Sequence, residues 1–343
     1  MTLTYERDVL HCSPTKYVRD VTIKEVLPAN NSDNLDRIIF EEIGWNAISR
    51  RGSHKVGDVI FFIPPESVLP LELSDALGVT SYLSKGRVRA IKLRGNRSEG
   101  LIVDKIVAEP YLEGILQWED PPSRHMGGEQ LPNAIIPILA FPVFVKMPNI
   151  MNEPDTFSDG DKIAVSEKIH GTNIRFGIHP HPETDEPTLY VGSHNVVLKE
   201  SEKNLYWQAV RKHINTDKLP YGITFYGEVY GKGIQDLHYD SDMELRVFAA
   251  CKNGWYLPIK ETMEICDEYN IPRVIFEFYV YSDIEWAREL ADRPSFMTDS
   301  HVREGIVIRE MEHKCDGENY NFRIAKVIGM SYMTRKGEKT ERH

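Results

Sequence analysis

Residues 166–177 read SEKIHGTNIRFG, a strand-like segment in which an acid and a lysine stand side by side just before His170-Gly171. Lys168 is therefore a candidate nucleophile. Three other strand-like segments carry a charge where a core strand would not: Glu228 in YGEVYG, Glu304 in EGIVIR and Lys326 in FRIAKVIG. Two lysines and two glutamates on strands can converge on one cleft. A lysine amine attacks phosphorus only after losing its proton, so its pKa must be lowered by burial or by nearby positive charge. A second lysine and a divalent cation supply that charge, and two carboxylates hold the cation while it bridges phosphate oxygens. Gly171, Gly227 and Gly305 stand close to these residues, where glycine lets backbone approach a ligand. Each piece alone is weak. Lys-x-His-Gly arises by chance, a Glu-Gly pair before an apolar strand is commonly a turn, and a lone histidine is more often a structural hydrogen-bonder than a ligand. The ordered set of four carries the reading.

The elements that must position this set come from the hydrophobic pattern. From residue 161, DKIAVSEKIHGTNIRFGIH reads as two strands meeting at His170-Gly171, and TLYVGSH, GITFYGEVYG, LRVFAACKNGWYLP and EGIVIRE are also strand-like. SEKNLYWQAVRKHI, IKETMEICDEYN and DIEWARELADRP have helical spacing. Strands and helices mix without regular βαβ alternation, which predicts an α+β domain over 161–343. Before it, residues 116–160 are rich in proline and read as a connector. Residues 1–115 carry short strands with turn signals at close spacing, the pattern of a small barrel or sandwich.

A chain of 343 residues exceeds what a single core accommodates, so two domains are expected. Net charge is −11, which taken alone speaks against a nucleic-acid partner. Net charge averages over surfaces, however, and a basic groove can sit on an acidic protein. The four cysteines are scattered with no CxxC pair, which argues against a disulfide framework or zinc site and fits the cytoplasm or another reducing intracellular compartment. No apolar stretch is long enough for a membrane span, and the N-terminal residues lack a secretory h-region.

EKIHGTN, YGEVYG, LRVFAA, EGIVIR and FRIAKVI, in this order, resemble motifs I, III, IIIa, IV and V of the covalent nucleotidyltransferases, the nucleic-acid ligases and mRNA capping enzymes. The general Lys-x-Asp-Gly is Lys168-Ile169-His170-Gly171 here, and EKIHGTN resembles the RNA ligase 2 group. NLDRIIFEEIGWNAISRRGSHKVGDVIFFIPPESVLP with RVRAIKLRGNRSEGLIV, and also GEVYGKGIQDLHYD, resemble the Deinococcus/Naegleria-type RNA ligases. The resemblance implies an N-terminal OB-type β-barrel that binds RNA, followed by a covalent nucleotidyltransferase (ATP-grasp-like ligase) domain of antiparallel sheets and helices. It implies an ATP-dependent RNA ligase with magnesium or manganese, joining 3′-hydroxyl and 5′-phosphate RNA ends at nicks in RNA or RNA/DNA duplexes through lysyl-AMP and adenylylated RNA. Lys168 would be the nucleophile and Lys326 would contact the α-phosphate. Glu167 and Ile169 would border the adenine, Asn173 the ribose or phosphates, and Phe248 would stack on the base. Glu228 would bind the ribose or the metal's water shell, and Glu304 would help hold the metal. Motif V often carries a second lysine two places on; Ile328 stands there, so Arg323 or Arg309 would complete the phosphate clamp.

KGRVRAIKLRGNR, residues 85–97, adds Lys85, Arg87, Arg89, Lys92, Arg94 and Arg97 with no acid between them. As one strand it would put Arg87 and Arg89 on one face and Lys92 and Arg94 on the other. Two readings stand, a solvated sheet edge and a phosphate-tracking surface on the OB-type barrel, with RNA contact the stronger. A capping guanylyltransferase or DNA ligase of the same superfamily is the rival enzyme; a non-catalytic RNA-binding protein is the rival of another class.

Overall fold

The computed structural model describes residues 12–118, 129, 131, 141–194, 196–312, 314–316 and 319–335. The chain divides into two compact units: Met1–Pro121, Pro148–Thr156 and Met330–Lys336 form one, and Pro122–Met147, Phe157–Gly329 and Gly337–His343 the other. Much of the stretch read as a connector lies outside the described residues. Sheets and helices mix without parallel βαβ units, so the class is α+β. No helix among the described residues is long and apolar enough to cross a membrane.

The first unit is built on β1 (Arg19–Pro28), β2 (Leu35–Phe40), β3 (Asn46–Arg50), β4 (Val59–Ile63), the hairpin β5 (Ala90–Leu93) and β6 (Asn96–Glu99), and β7 (Leu101–Val103). Five of them form an antiparallel sheet in the order β3-β2-β1-β4-β7. The first half of β1 pairs with β4 and the second half with β2, with an irregularity between Ile23 and Glu25. A bulge there bends the strand and tightens its twist. The sheet therefore curls until β3 and β7 approach one another, giving a nearly closed barrel. Alternation along the strands sends Val21, Ile23, Ile38, Phe40 and Phe62 inside. The basic run is not one strand: β5 starts only at Ala90, and Arg94-Gly95, both at positive φ, turn the chain back into β6.

The second unit contains β8 (Lys162–Lys168), β9 (Thr172–Pro180), β10 (Pro187–Ser193), β11 (Val197–Leu198), β12 (Ile223–Tyr230), β13 (Glu244–Lys252), β14 (Trp255–Tyr256), β15 (Glu277–Val280), β16 (Gly305–Glu310) and β17 (Ile324–Ile328). Its helices are α1 (Leu205–His213), α2 (Ile259–Glu268) and α3 (Ile284–Ala291), within the three segments of helical spacing. Asn204 caps α1 and Asp283 caps α3 through their side chains. A six-stranded sheet runs β11-β10-β9-β12-β13-β14 and a four-stranded sheet β15-β8-β16-β17. Period-two alternation separates the faces of the larger sheet. Ile174, Phe176, Phe225 and Val247 pack with Trp207 and Val210 of α1. From the other face, Tyr226 and Phe248 pack against Val307 and Ile324 of the smaller sheet, with Phe144 between them. The polar set lies in the cleft between these sheets.

Candidate active site

Register places the candidate residues. In the smaller sheet Lys168 lies opposite Gly305, which lies opposite Ile328, while Ser166 lies opposite Val307 and Val307 opposite Lys326. Paired residues share a face, as do residues two apart, so Lys168 and Lys326 rise from the same face. In the larger sheet Asn173 pairs with Glu228 and Glu228 with Arg246, so these three also share a face. The glycines have a structural task. A Cβ at Gly171 would lie 2.3 Å from the Val229 carbonyl oxygen, and one at Gly305 2.0 Å from that of Val327. They admit the neighbouring strand, where sequence analysis had assigned them to ligand approach.

Lys168 Nζ lies 2.7 Å from Glu304 Oε1, with both side chains largely covered. The other oxygen, Oε2, lies 3.2 Å from His170 Nδ1, and His170 Nε2 lies 2.5 Å from Asp236 Oδ1. Both ring nitrogens thus face carboxylates. Burial pulls the imidazole pKa down, but Asp236 and Glu304 outweigh it and carry it up to about 9. Burial opposes ionisation of Glu304, yet Lys168 and His170 hold its carboxyl at about 2. Glu228 shows the reverse balance: burial pushes it up to about 8 against the pull of Lys168, and the Glu304 charge adds to the push. Two carboxylates with opposite shifts therefore flank one lysine. The Oδ1 of Asn173 is buried without a hydrogen-bond partner.

Glu167, one residue before the lysine, points to the opposite face of β8. Its carboxylate accepts from Ser295 Oγ at 2.7 Å and from the Phe296 N–H at 3.2 Å. It lines a second concavity of about 310 Å³ with Tyr230, Tyr239, Arg246 and Phe296. Ile169 is buried. Phe248 meets Phe144 edge-on, with ring centroids 5.1 Å apart, on the cleft side. Arg323 is held elsewhere, its guanidinium bound by Glu310 at 2.7 Å and by Asp161 at 2.7 Å. Arg309, on the cleft face, is buried, donates to the Leu257 carbonyl at 2.6 Å and lies 4.0 Å over the Phe322 ring.

In the first unit Lys85, Arg89, Lys92 and Arg94 are exposed and Arg97 is half-buried. Arg87 is anchored by Glu66 and lies 4.7 Å over the Trp118 ring. Sequence reasoning assigned no role to Asp236, Tyr239 or Ser295. For Asp236 and Tyr239 the signal was GIQDLHYD, whose likeness to the ligases had been noted as a whole.

Among the described residues no three His, Cys, Asp or Glu side chains form a metal cage. Glu228 and Glu304 beside one lysine suit a hard cation that takes one or two carboxylates and draws its other oxygens from phosphates.

A lysine, two carboxylates and a second lysine facing one sheet cleft form an arrangement suited to covalent nucleotidyl transfer. Residues 161–328 match the RNA ligase family model. In structure it is similar to Naegleria gruberi RNA ligase with pyrophosphate, at a TM-score of 0.73 and 20% identity over 93% of this chain and 98% of that one. A lysine-to-alanine mutant of the Naegleria gruberi ligase in the apo form gives 0.75 at 20% identity, with 93% and 98% covered. Another, with ATP and manganese, gives 0.73 at 20% identity and the same coverage, 93% and 98%. Sequence comparison with curated proteins finds no match.

Proposed function

We propose that this chain is an ATP-dependent RNA ligase that joins 3′-hydroxyl to 5′-phosphate RNA ends through a lysyl-AMP on Lys168. The observation that carries the reading is the Lys168–Glu304 contact of 2.7 Å in a cleft that also holds Glu228. The Lys168 amine attacks the α-phosphate of ATP, the bond to the β-phosphate oxygen breaks and pyrophosphate leaves. The AMP passes to an RNA 5′-phosphate, and a 3′-hydroxyl then displaces AMP to close the phosphodiester. Each step is an in-line displacement, so positioning and charge neutralisation carry the catalysis.

Glu228 and Glu304 are the residues that would hold magnesium or manganese, which when bound neutralises charge on the phosphates. Lys326, on the same face as Lys168, would meet the α-phosphate. Phe248 and Val307, from opposite sheets, would sandwich the adenine. Asn173 Oδ1 would take its missing hydrogen bond from the nucleotide. Glu167 and Ile169 would fix the base edge. The ATP and manganese in the similar Naegleria gruberi structure support this choice of nucleotide and metal.

Residues 1–115 are read as the OB-type RNA-binding domain and 161–343 as the adenylyltransferase, joined by 116–160, and the free cysteines suit a reducing intracellular compartment. Of the basic run, Lys85, Arg89, Lys92, Arg94 and Arg97 are assigned to RNA and Arg87 to the barrel. Lys92 pairs directly with Arg97 across the hairpin. A phosphate backbone lying across the hairpin would meet both cations. Nicked RNA or RNA/DNA duplexes are the expected substrate form.

The test is intact-mass spectrometry after incubation with ATP and manganese, with GTP in parallel. The native protein should gain one AMP from ATP only. Lys168→Ala should gain none, and Lys168→Arg none either, since guanidinium stays protonated. An adduct in the alanine variant removes Lys168 as nucleophile; labelling by GTP turns the assignment toward capping.

A further inference from the structure

We propose that Asp236 is a positioning residue for Lys168, acting through His170 and Glu304. The inference rests on the reading of Lys168 as nucleophile. Four side chains form a chain of contacts: Asp236 Oδ1 to His170 Nε2 at 2.5 Å, His170 Nδ1 to Glu304 Oε2 at 3.2 Å, and Glu304 Oε1 to Lys168 Nζ at 2.7 Å. Each carboxylate oxygen of Glu304 therefore has its own partner, and the plane of the carboxylate is fixed by two points. One point is the lysine itself. The other is an imidazole, and an imidazole flanked on one side only can rotate about its bond to Cβ. Asp236 stops that rotation from the far side.

The loop that carries Asp236 grips the same turn at two further points. The His170 N–H donates to Tyr239 Oη at 2.7 Å, and Gln235 Nε2 donates to the Gly171 carbonyl at 3.4 Å. Tyr239 and Asp240 both take positive φ, 50° and 53°. Two consecutive left-handed residues outside glycine are costly and persist only where surrounding contacts over-determine them. Here the contacts include an edge-on His301 ring 4.6 Å from that of Tyr239 and hydrogen bonds from Thr298 and Ser300 to Asp240. The loop is thus a brace for the turn that follows the lysine, and Asp236 is its contact with the reacting group's neighbours.

Without Asp236 the imidazole loses its outer anchor, Oε2 of Glu304 is released, and both oxygens can close on Lys168. The amine is then held back from the α-phosphate while the nucleotide pocket is untouched. The effect belongs in the rate of lysine adenylylation, not in affinity for ATP.

The experiment compares Asp236→Ala, Asp236→Asn, His170→Ala and the Asp236→Ala/His170→Ala double variant in the full chain. Single-turnover formation of the AMP adduct is measured over a range of ATP concentrations, with melting temperature as control. Asp236→Ala should slow the step between about tenfold and a hundredfold, with KM for ATP changed less than about twofold. Asp236→Asn should recover part of the loss, because its amide oxygen accepts the same bond from Nε2. The double variant should be no slower than His170→Ala, since residues acting through one another are non-additive. Native rates in Asp236→Ala, a change confined to KM, or full additivity in the double variant would each overturn the proposal. A second readout needs no ATP: acetylation of Lys168 by a small amine-directed reagent, mapped by mass spectrometry. Asp236→Ala and His170→Ala should slow it equally at Lys168 and leave other lysines unchanged; a native rate refutes the brace. If the native protein forms no AMP adduct, the functional reading fails, and acetylation still decides the role of Asp236.

Discussion

Replacing Glu304 by alanine tests the centre of the site at its most stressed point. The carboxylate is shared between Lys168 at 2.7 Å and His170 at 3.2 Å, and its side chain is only 9% exposed. Deleting it leaves two nitrogen bases that had divided one negative charge, with Asp236 still on the far side of the imidazole and Glu228 near the lysine. Breaking a buried pair by removing one partner costs about 3–5 kcal/mol. Lys168 retains 22% exposure and can shed its proton, so the lower end applies, about 3 kcal/mol. For a unit of this size about 1 kcal/mol moves the melting temperature by roughly 2–4 °C, so the shift should be about 6–12 °C. The assay is scanning calorimetry of the ligand-free protein at neutral pH, following the transition of the nucleotidyltransferase unit. Glu304→Gln should fall between, since one amide oxygen can still accept from one partner. A shift of less than about 2 °C in the alanine variant would show that water already satisfies the lysine and imidazole, and the argument for a shared, desolvated carboxylate would fail.

Three further outcomes are expected. His179 is 2% exposed, accepts or donates at 2.9 Å to Thr224, and burial brings its pKa from 6.5 down to about 4. The unfolded chain binds that proton more readily, so stability is full above pH 6.5 and declines as pH falls to 4, by about 3 kcal/mol in all; urea unfolding at stepped pH should show this slope flatten in His179→Gln. Arg94→Ala should weaken RNA binding and reduce the log–log salt slope by about one, whereas Arg87→Ala should lower the melting temperature of the barrel unit, because its partners are Glu66 and Trp118. Phe248→Ala should raise KM for ATP about tenfold through lost base stacking, read in steady-state adenylylation.

Much of the nucleotidyltransferase unit was legible because its strands obey a period of two. EKIHG and EGIVIR could be placed on strands, while their pairing with one another appears only in the structure. The same patterns hid what depends on distant partners. Asp236 meets His170 across 66 residues, and no local spacing announces that contact. Arg323, within FRIAKVIG, reads as a candidate for the phosphate clamp; its carboxylates lie 13 and 162 residues away. The basic run looked like one strand because Arg94-Gly95 is not among the dipeptides that usually mark a tight hairpin. His170 taken alone reads from the sequence as a structural hydrogen-bonder, and its two carboxylate partners become visible only when β8, the 231–242 loop and the start of β16 come together.

The clasp of Arg323 by Glu310 and Asp161 sits where β8 begins, β16 ends and β17 begins. Lys168 and Gly305 are at the opposite end of the same strands, seven residues from Asp161 and five from Glu310, roughly 20 Å along. The clasp acts as a vice on the far end of a plank. It forbids sliding, and a slip of one residue in β17 would turn Lys326 from the cleft to the back of the sheet. The opposite end is held separately, by the contacts of Asp236, Tyr239 and Gln235 with the turn after Lys168. On the proposed function, the placement of two lysines against one phosphorus would depend in part on an ion cluster at the far end of their strands.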